Sequence, residues 1–233
     1  MPSSRVAPRI RFSFERPSGQ DVVSFDKVSF TYPEGETIID GLETRIDRGD
    51  KIAIVGRNGI GKTTMMRLLQ EELEPTKGTI SWGGTTRRSY FPQENSHLFT
   101  EDLTILDWIS QFTDSQDINE MRAMLGRMLF SGEDVKKSVK VLSGGERVRC
   151  LLSMVMLQTP NVLLLDEPTG HLDLESIEAL QESLQEYPGT LVVVSHDRQF
   201  VDSVASRVWV MSDSGIEDWR GSYSDYRAAK GLD

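Results

Sequence analysis

The 233-residue chain contains one cysteine, three histidines and no long hydrophobic run. A single cysteine, Cys150, excludes an internal disulfide and is typical of proteins from reducing compartments. Its apolar surroundings, RVRCLLSMVML, predict a buried residue rather than a reactive thiol. Runs such as NVLLL and TLVVV are far shorter than the roughly 20 apolar residues that a membrane-spanning helix needs. No secretory or transit pattern is recognisable, and we therefore expect a cytoplasmic protein.

The charge of the chain is unevenly distributed. Its net charge of −10 argues against a general affinity for nucleic acid or anionic lipid. Residues 1–20 have the opposite sign, +3, and are rich in proline and serine. The charged residues of this segment are Arg5, Arg9, Arg11 and Arg16, against Glu15. We predict a basic linker tail over 1–20, either touching RNA locally or simply solvated, followed by one domain over 21–233.

Two parts of the sequence predict alternating strands and helices. KIAIV is a short apolar run that stops at Gly56, and GKTTMMRLLQEEL follows with helical spacing. Further on, NVLLLD and TLVVVS have the pattern of strands, and LESIEALQESLQEY and DRQFVDSVASR that of helices. Continuous apolar strands are typical of a parallel sheet covered on both faces, whereas VVSFDKVSFTY alternates like a strand with one solvent-facing side. The predicted fold class is therefore α/β.

The middle of the chain has a different character. The segments LTILDWISQF, DINEMRAMLGRMLF and EDVKKSV have helical spacing and no strand-like run. We predict a helical subdomain, roughly residues 95–158, inserted in the α/β core. Met121, Met124 and Met128 recur at helical intervals and are predicted to pack in its interior.

Residues 56–63 match the pattern G-x-x-x-x-G-K-T without a gap. Glycines allow backbone amides to surround a polyphosphate, and the helix that follows adds its N-terminal partial positive charge. Lys62 is expected to act in catalysis by neutralising the β- and γ-phosphates, and the Thr63 hydroxyl to bind Mg²⁺. The predicted nucleotide-contacting residues are Gly56, Asn58, Gly59, Gly61, Lys62, Thr63 and Thr64.

Acidic and imidazole side chains follow the two later strands. Asp166 ends one strand, where it can reach the magnesium shell, and Glu167 comes next as the candidate base for the attacking water. His196 ends the VVVSHD strand and is predicted to contact the γ-phosphate. His97 and His171 are given no catalytic role.

Taken in order, these motifs resemble those of ATP-binding cassette (ABC) ATPase domains. LSGGE at 142–146 matches the signature of that family, and Gln93 matches the glutamine that touches Mg²⁺ and the attacking water. HLD, ending at Asp173, matches the D-loop, and Tyr32 stands where an aromatic residue stacks on adenine. The resemblance covers residues 22–230. It implies a P-loop NTPase fold with a mostly parallel sheet, an antiparallel β edge and a helical insert.

The resemblance also implies that the second glycine loop faces another molecule. In ABC proteins two cassettes sandwich two nucleotides head to tail, and the signature of one closes over the ATP of the other. The residues implied to contact the partner's nucleotide are Ser143, Gly144, Gly145 and Glu146. ATP and Mg²⁺ are the implied cofactors, and an isolated chain is expected to hydrolyse ATP slowly. The implied metal ligands are Thr63, Gln93 and Asp166.

Further stretches narrow the resemblance to the ABC-F branch, whose members have two cassettes in one chain and no membrane domain. These are SHDRQFVD and the GSYSDY segment with Gly221, Tyr223 and Tyr226. LGRMLFSGEDVKKSVKVLSGGE and LDLESIEAL look most like the C-terminal cassette of YbiT-type proteins, and PSSRVAPRIRF is similar to the end of their inter-cassette linker. ABC-F members mostly act at the ribosome near the tRNA exit site, so the resemblance implies half of a translation factor.

One position departs from the ABC-F pattern, and two other functions stay open. Gly170 stands where DEPTNHLD has asparagine, which affects the expected contacts between cassettes. The chain could instead be the cytosolic ATPase subunit of a membrane transporter, or a non-catalytic nucleotide-binding regulator. DNA-repair ABC ATPases are excluded, because only 104 positions separate Lys62 from Asp166, too few for their coiled coils.

Overall fold

A computed structural model of the protein describes residues 7–35, 37–113, 115 and 117–232. Arg5, predicted as part of the basic tail, lies outside the described residues. The strands are β1 (Asp21–Thr31), β2 (Thr37–Asp47), β3 (Lys51–Val55), β4 (Lys77–Trp82), β5 (Arg88–Phe91), β6 (Val162–Asp166), β7 (Thr190–Val194), β8 (Arg207–Ser212) and β9 (Gly215–Arg220). The α-helices are α1 (Lys62–Leu69), α2 (Ile105–Ser110), α3 (Ile118–Arg127), α4 (Gly144–Leu157), α5 (Leu174–Glu186), α6 (Arg198–Val204) and α7 (Tyr223–Lys230).

The larger sheet has the strand order β5-β6-β7-β3-β8-β9. Its first five strands are parallel, and β9 adds an antiparallel edge beside β8. Alternate residues of β6 belong to two separate hydrophobic clusters: Leu163 and Leu165 to the larger, Val162 and Leu164 to the smaller. Because successive strand residues point to opposite faces, both faces of this sheet are covered. The predicted α/β class with a mostly parallel sheet is confirmed.

A second sheet accounts for the alternating strand near the start of the domain. Its order is β2-β1-β4, with antiparallel pairing throughout. Phe25 on β1 meets Trp209 on β8 edge-on, with ring centroids 5.5 Å apart. The antiparallel sheet thus packs on the parallel one through aromatic side chains, and the expected antiparallel β component is present.

All named elements between β5 and β6 in the described residues are helical, apart from an isolated bridge between Thr104 and Ser138. Met121 and Met128 are buried there and Met124 packs against the same cluster, as predicted. Cys150 on α4 is fully buried, and burial raises the pKa of its thiol well above the usual range. These side chains serve packing, not chemistry.

Two predicted helices are shorter than their spacing suggested. α1 ends at Leu69, because Glu71 adopts the left-handed backbone conformation at φ 61°. EDVKKSV forms only a single 3₁₀ turn over Asp134–Lys136, because Lys137 returns to an extended backbone. No helix in the described part of the chain combines the length and the apolar character needed to cross a bilayer.

Residues 7–20 form no helix or strand, but they pack on the domain. Ile10 and Phe12 are buried in the larger hydrophobic cluster. The rings of Phe12 and Phe14 meet Tyr187 edge-on, with centroids 6.1 and 6.0 Å away. The boundary predicted at residue 20 therefore does not coincide with the edge of the packed domain, because apolar side chains of this segment belong to its core.

Replacing Phe12 by alanine tests this packing. Phe12 is 4% exposed, and loss of a buried phenylalanine ring costs about 3 kcal/mol of unfolding free energy. Urea unfolding should show that loss for Phe12→Ala and almost none for the neighbouring exposed Arg11→Ala. Equal stability of the two variants would mean that the segment is not anchored.

Candidate functional site

The phosphate loop, the two predicted acids and His196 lie at one edge of the parallel sheet, at the ends of three neighbouring strands. β7 lies between β6 and β3, and Val194 at its end pairs with Asp166 on one side and Ile54 on the other. The phosphate loop follows β3, Glu167 follows β6, and His196 follows β7. Carboxyl ends of parallel strands lie at the same edge, where ligands of open α/β sheets bind.

A cavity of about 480 Å³ opens at this edge. Val194 supplies an apolar part of its wall, and the polar lining consists of residues that the sequence had singled out. These are Asn58, Gly59, Gly61, Lys62, Thr63, Thr64, Gln93, Asp166, Glu167 and His196. The volume and the polar lining suit a polyphosphate.

The phosphate loop has the conformation that its glycines permit. Gly61, directly before α1, has φ 114°, and a methyl group there would lie 2.2 Å from Cγ2 of Ile38. A methyl group on Gly56 would lie 2.6 Å from the carbonyl oxygen of Met211. Other residues would clash at both positions, so the backbone path toward the cavity depends on glycine.

Lys62 lies across this loop. Its Nζ donates hydrogen bonds to the carbonyl oxygens of Gly56 at 2.9 Å and Arg57 at 3.0 Å. Burial lowers the pKa of Lys62, while the charges of Glu167 and Asp166 oppose this shift. The ammonium group is thus held at the cavity by carbonyls that a phosphate oxygen can replace.

Asp166 is fully buried, and neither of its carboxylate oxygens has a hydrogen-bond partner among the described residues. Burial and the Glu167 charge raise its pKa to about 6, opposed by interaction with the nearby Thr63 hydroxyl and by the Lys62 charge. An unpartnered buried carboxylate is costly, and a cation would satisfy it.

The ligand set around Asp166 fits magnesium. Thr63, Gln93 and Asp166 all line the cavity, and oxygen donors of this kind are those that Mg²⁺ prefers. No cluster of three histidine, cysteine or carboxylate side chains that could hold a metal occurs within the described residues. Mg²⁺ commonly binds through one or two protein ligands and the phosphates of a substrate, which is the arrangement that this site allows.

The side chains of Glu167 and His196 lie next to each other in the lining of the cavity. Nε2 of His196 lies 3.3 Å from Oε1 of Glu167, and the His196 backbone N–H donates to Oε2 at 3.3 Å. Glu167 has φ 51°, a left-handed conformation that is uncommon for a residue other than glycine. Such strain is concentrated at functional sites. Glu167 is therefore positioned by the fold rather than free to reorient.

The remaining predicted residues lie elsewhere. Gly56 does not line the cavity in the described structure, but its carbonyl oxygen accepts a hydrogen bond from Lys62. The other predicted residues that are absent from the described lining are Tyr32, Ser143, Gly144, Gly145, Glu146 and Asp173. The Tyr32 ring meets Phe30 edge-on at 4.8 Å, and its hydroxyl lies 3.0 Å from Oγ1 of Thr64. Tyr32 thus contacts the first turn of α1, and its stacking on adenine stays a prediction.

The second glycine loop starts α4 with a capping box. Oγ of Ser143 accepts the Glu146 N–H at 3.3 Å, and Oε2 of Glu146 accepts the Ser143 N–H at 2.8 Å. Asp173 has a comparable local role at the start of α5, where it accepts the N–H of Ser176 at 3.0 Å. These residues are organised before any nucleotide binds.

Sequence patterns missed one contact near the site and left the reason for one glycine open. The Arg57 guanidinium pairs with Asp213, in the turn between β8 and β9, at 2.5 Å. At the position that departs from the ABC-F pattern, a methyl group on Gly170 would meet only the Glu167 carbonyl oxygen, at 3.5 Å. Neither the space nor the backbone there requires glycine. No local signal could have revealed the pairing of Arg57 with Asp213, because the two residues are far apart in the sequence.

Comparisons with known proteins agree with this geometry. Residues 39–170 match the family model described as ABC transporter. The chain is 40% identical over 232 residues to the probable ATP-binding protein YbiT of Escherichia coli O157:H7, covering 99% of this chain and 44% of YbiT. It is 35% identical over 233 residues to ABC transporter F family member 5 of Arabidopsis thaliana, covering 100% of this chain and 33% of that protein. The chain thus spans less than half the length of these relatives.

The fold recurs in a solved structure of low sequence similarity. A bacterial Atm1-family ABC exporter with ATP bound superimposes with a TM-score of 0.79 at 22% identity, covering 95% of this chain and 42% of the exporter. At that identity the likeness supports the fold alone.

The buried carboxylate of Asp166 makes a testable prediction about pH. Because its pKa is raised to about 6 in the folded protein, the folded state favours the protonated form, and stability is lost as the pH rises through 6. Asp166→Asn should therefore stabilise the nucleotide-free protein by up to about 3 kcal/mol at about pH 8, and by much less at about pH 4.

Urea unfolding in EDTA at both pH values measures this difference. The matched control is Asp26→Asn, because Asp26 is an exposed aspartate whose substitution should change stability little. A stabilisation by Asp166→Asn that does not depend on pH would contradict the buried-charge explanation.

Proposed function

The chain belongs to the ABC family of ATP-binding cassettes, with relatives of the ABC-F branch, and we propose that it hydrolyses Mg-ATP as one member of a head-to-tail pair. The second cassette is either the other half of a longer parent protein or a second copy of this chain. We further propose that the parent is a cytoplasmic ABC-F translation factor, of which this chain is the C-terminal half.

One observation carries the assignment of chemistry. The phosphate loop, the unpartnered Asp166 carboxylate and the Glu167–His196 pair line a single cavity. Loop amides and Lys62 would hold the phosphates, with Lys62 exchanging its carbonyl partners for phosphate oxygens. Thr63, Gln93 and Asp166 would ligate the magnesium of the substrate complex, which neutralises charge on the phosphates.

The acid–base roles follow from the arrangement of the two remaining side chains. Glu167 is held by its backbone and by the His196 N–H at the rim of the cavity, where its carboxylate can accept a proton from an attacking water. We propose that His196 donates a hydrogen bond to the γ-phosphate. Both side chains line the cavity that the phosphate loop also lines, which supports hydrolysis over mere nucleotide binding.

The pairing proposal rests on the position of the second glycine loop, which lies outside the cavity of the described chain. Ser143, Gly144 and Gly145 begin α4 with a preformed cap, yet they do not line the cavity that contains the phosphate loop of the described chain. In the proposed pair, the N-terminal turn of α4 supplies amide donors to the γ-phosphate held by the other cassette. Losing a preorganised donor of that kind costs about 10²–10³ in rate, so a single cassette is expected to be a weak ATPase.

Diluting the protein tests whether two chains together form the active site. If two chains must meet, ATPase activity per molecule should rise with protein concentration over about a hundredfold range, as mass action requires. Glu167→Gln is the control: it should retain ATP binding, show no turnover at any concentration, and accumulate as a pair in size-exclusion chromatography with ATP. A specific activity that is flat over the dilution series would refute pairing, and normal hydrolysis by Glu167→Gln would remove Glu167 from catalysis.

A second experiment separates the ABC-F assignment from the alternatives. The Glu167→Gln form of the longer parent, held in its ATP state, should co-sediment with ribosomes in ATP and not without nucleotide. Co-purification with a membrane permease and no ribosome binding would favour the transporter subunit. Absence of turnover with the partner cassette present would favour a non-catalytic regulator, against which the intact Glu167–His196 arrangement argues.

A further inference from the structure

The loop between β6 and α5 contacts the first turn of α4 in the same chain. A methyl group on Gly144 would lie 3.1 Å from Cγ and 3.2 Å from Nδ1 of His171. A methyl group on Gly145 would lie 3.1 Å from the carbonyl oxygen of His171. An added methyl group in ordinary van der Waals contact would lie 3.4–4 Å away, so His171 leaves little space for a side chain at either glycine of the signature.

This loop has little freedom to move. Glu167 at φ 51° and His171 at φ 64° both adopt the left-handed conformation. The Glu167 N–H donates to the carbonyl of Val194 at 2.9 Å, and the Gly170 N–H donates to the carbonyl of Glu167 at 3.3 Å. The segment that joins Glu167 to His171 is thus a compact turn tied to β7 at its beginning.

A second side chain also lies beside Gly145. The guanidinium of Arg149, which belongs to α4 itself, lies over the Phe130 ring at 5.5 Å, and its Nη1 would be 3.8 Å from a methyl group on Gly145. Both Arg149 and the His171 carbonyl thus lie near Gly145. Of the two, only His171 is connected by a short turn to the candidate base Glu167.

From these contacts we infer that His171 is a positioning residue for the reaction of the facing cassette. Its ring and carbonyl hold the first turn of α4, and hence the amides of Gly144 and Gly145, at a set place relative to Glu167 of the same chain. This inference rests on the proposed head-to-tail pairing, in which that turn serves the partner's nucleotide. His171 does not line the cavity of its own chain in the described structure, so its effect is expected on the other site of the pair.

Pairs made of two different variants test whether His171 acts on the site of the facing cassette. A reporter chain with Glu167 intact is kept at low concentration, and a helper chain carrying Glu167→Gln is added until the ATPase rate reaches its plateau. Hydrolysis then comes from the reporter's cavity, completed by α4 of the helper. His171→Asn is the variant of choice, because asparagine tolerates a positive φ but has no ring to rest on Gly144.

A helper with both Glu167→Gln and His171→Asn should support a plateau rate about tenfold lower than the Glu167→Gln helper. This loss is smaller than the about 10²–10³ that complete loss of a donor costs, because the amides are displaced and not removed. The matched helper with Glu167→Gln and His97→Asn should match the parent helper, because His97 is exposed and is not among the described residues that line the phosphate-loop cavity. A reporter with His171→Asn and the parent helper should keep the full plateau, which a general folding defect would not allow.

The outcomes distinguish the inference from the pairing on which it rests. A normal plateau with the His171→Asn helper, or a loss confined to the His171→Asn reporter, would overturn the positioning role while leaving pairing intact. If the parent Glu167→Gln helper itself gives no stimulation, the head-to-tail pair is refuted and the inference falls with it.

Discussion

The parallel register of β6, β7 and β3 is the constraint on which the site depends. Val194 pairs with both Asp166 and Ile54, so the loops after the three strands begin at the same level of the sheet. Groups far apart in the sequence thereby line one cavity. A slip of one residue in any of these strands would turn its side chains to the opposite face. Because the residues of β6 and β7 are buried on both faces, such a slip would also disturb the close packing on both sides of the sheet.

The site contains features that reduce stability and that a ligand would offset. Asp166 is buried without a hydrogen-bond partner, Lys62 is drawn onto carbonyl groups, and Glu167 has a strained backbone. Each feature is costly in isolation. A polyphosphate with its magnesium offsets the first two by supplying opposite charge to both groups. The third keeps a carboxylate at the rim of the cavity, where the proposed reaction needs it.

The two glycine loops use glycine for different physical reasons. In the phosphate loop, Gly61 allows a left-handed turn, and Gly56 allows close approach to Met211. At α4, Gly144 and Gly145 leave room for His171, while the capping box closes the helix end. The first turn of α4 is thus half-buried and lies beside His171. This division fits a reaction chamber assembled from complementary halves of two cassettes.

Much of this molecule could be predicted from local pattern. The apolar strands β3, β6 and β7, the spacing of the phosphate loop, and the acids after β6 are signalled by neighbouring residues alone. The short, partly exposed strands β4 and β5 are not, because they are stabilised by strands distant in the chain. The packing of Ile10 and Phe12 likewise depends on the distant Tyr187 and its neighbours. The sequence by itself determined which chemical groups are available and how they are spaced, because motif geometry is local. Only the tertiary structure decided which groups share a cavity, which carboxylate lacks a partner and which loop lies against α4, because these depend on contacts between distant segments.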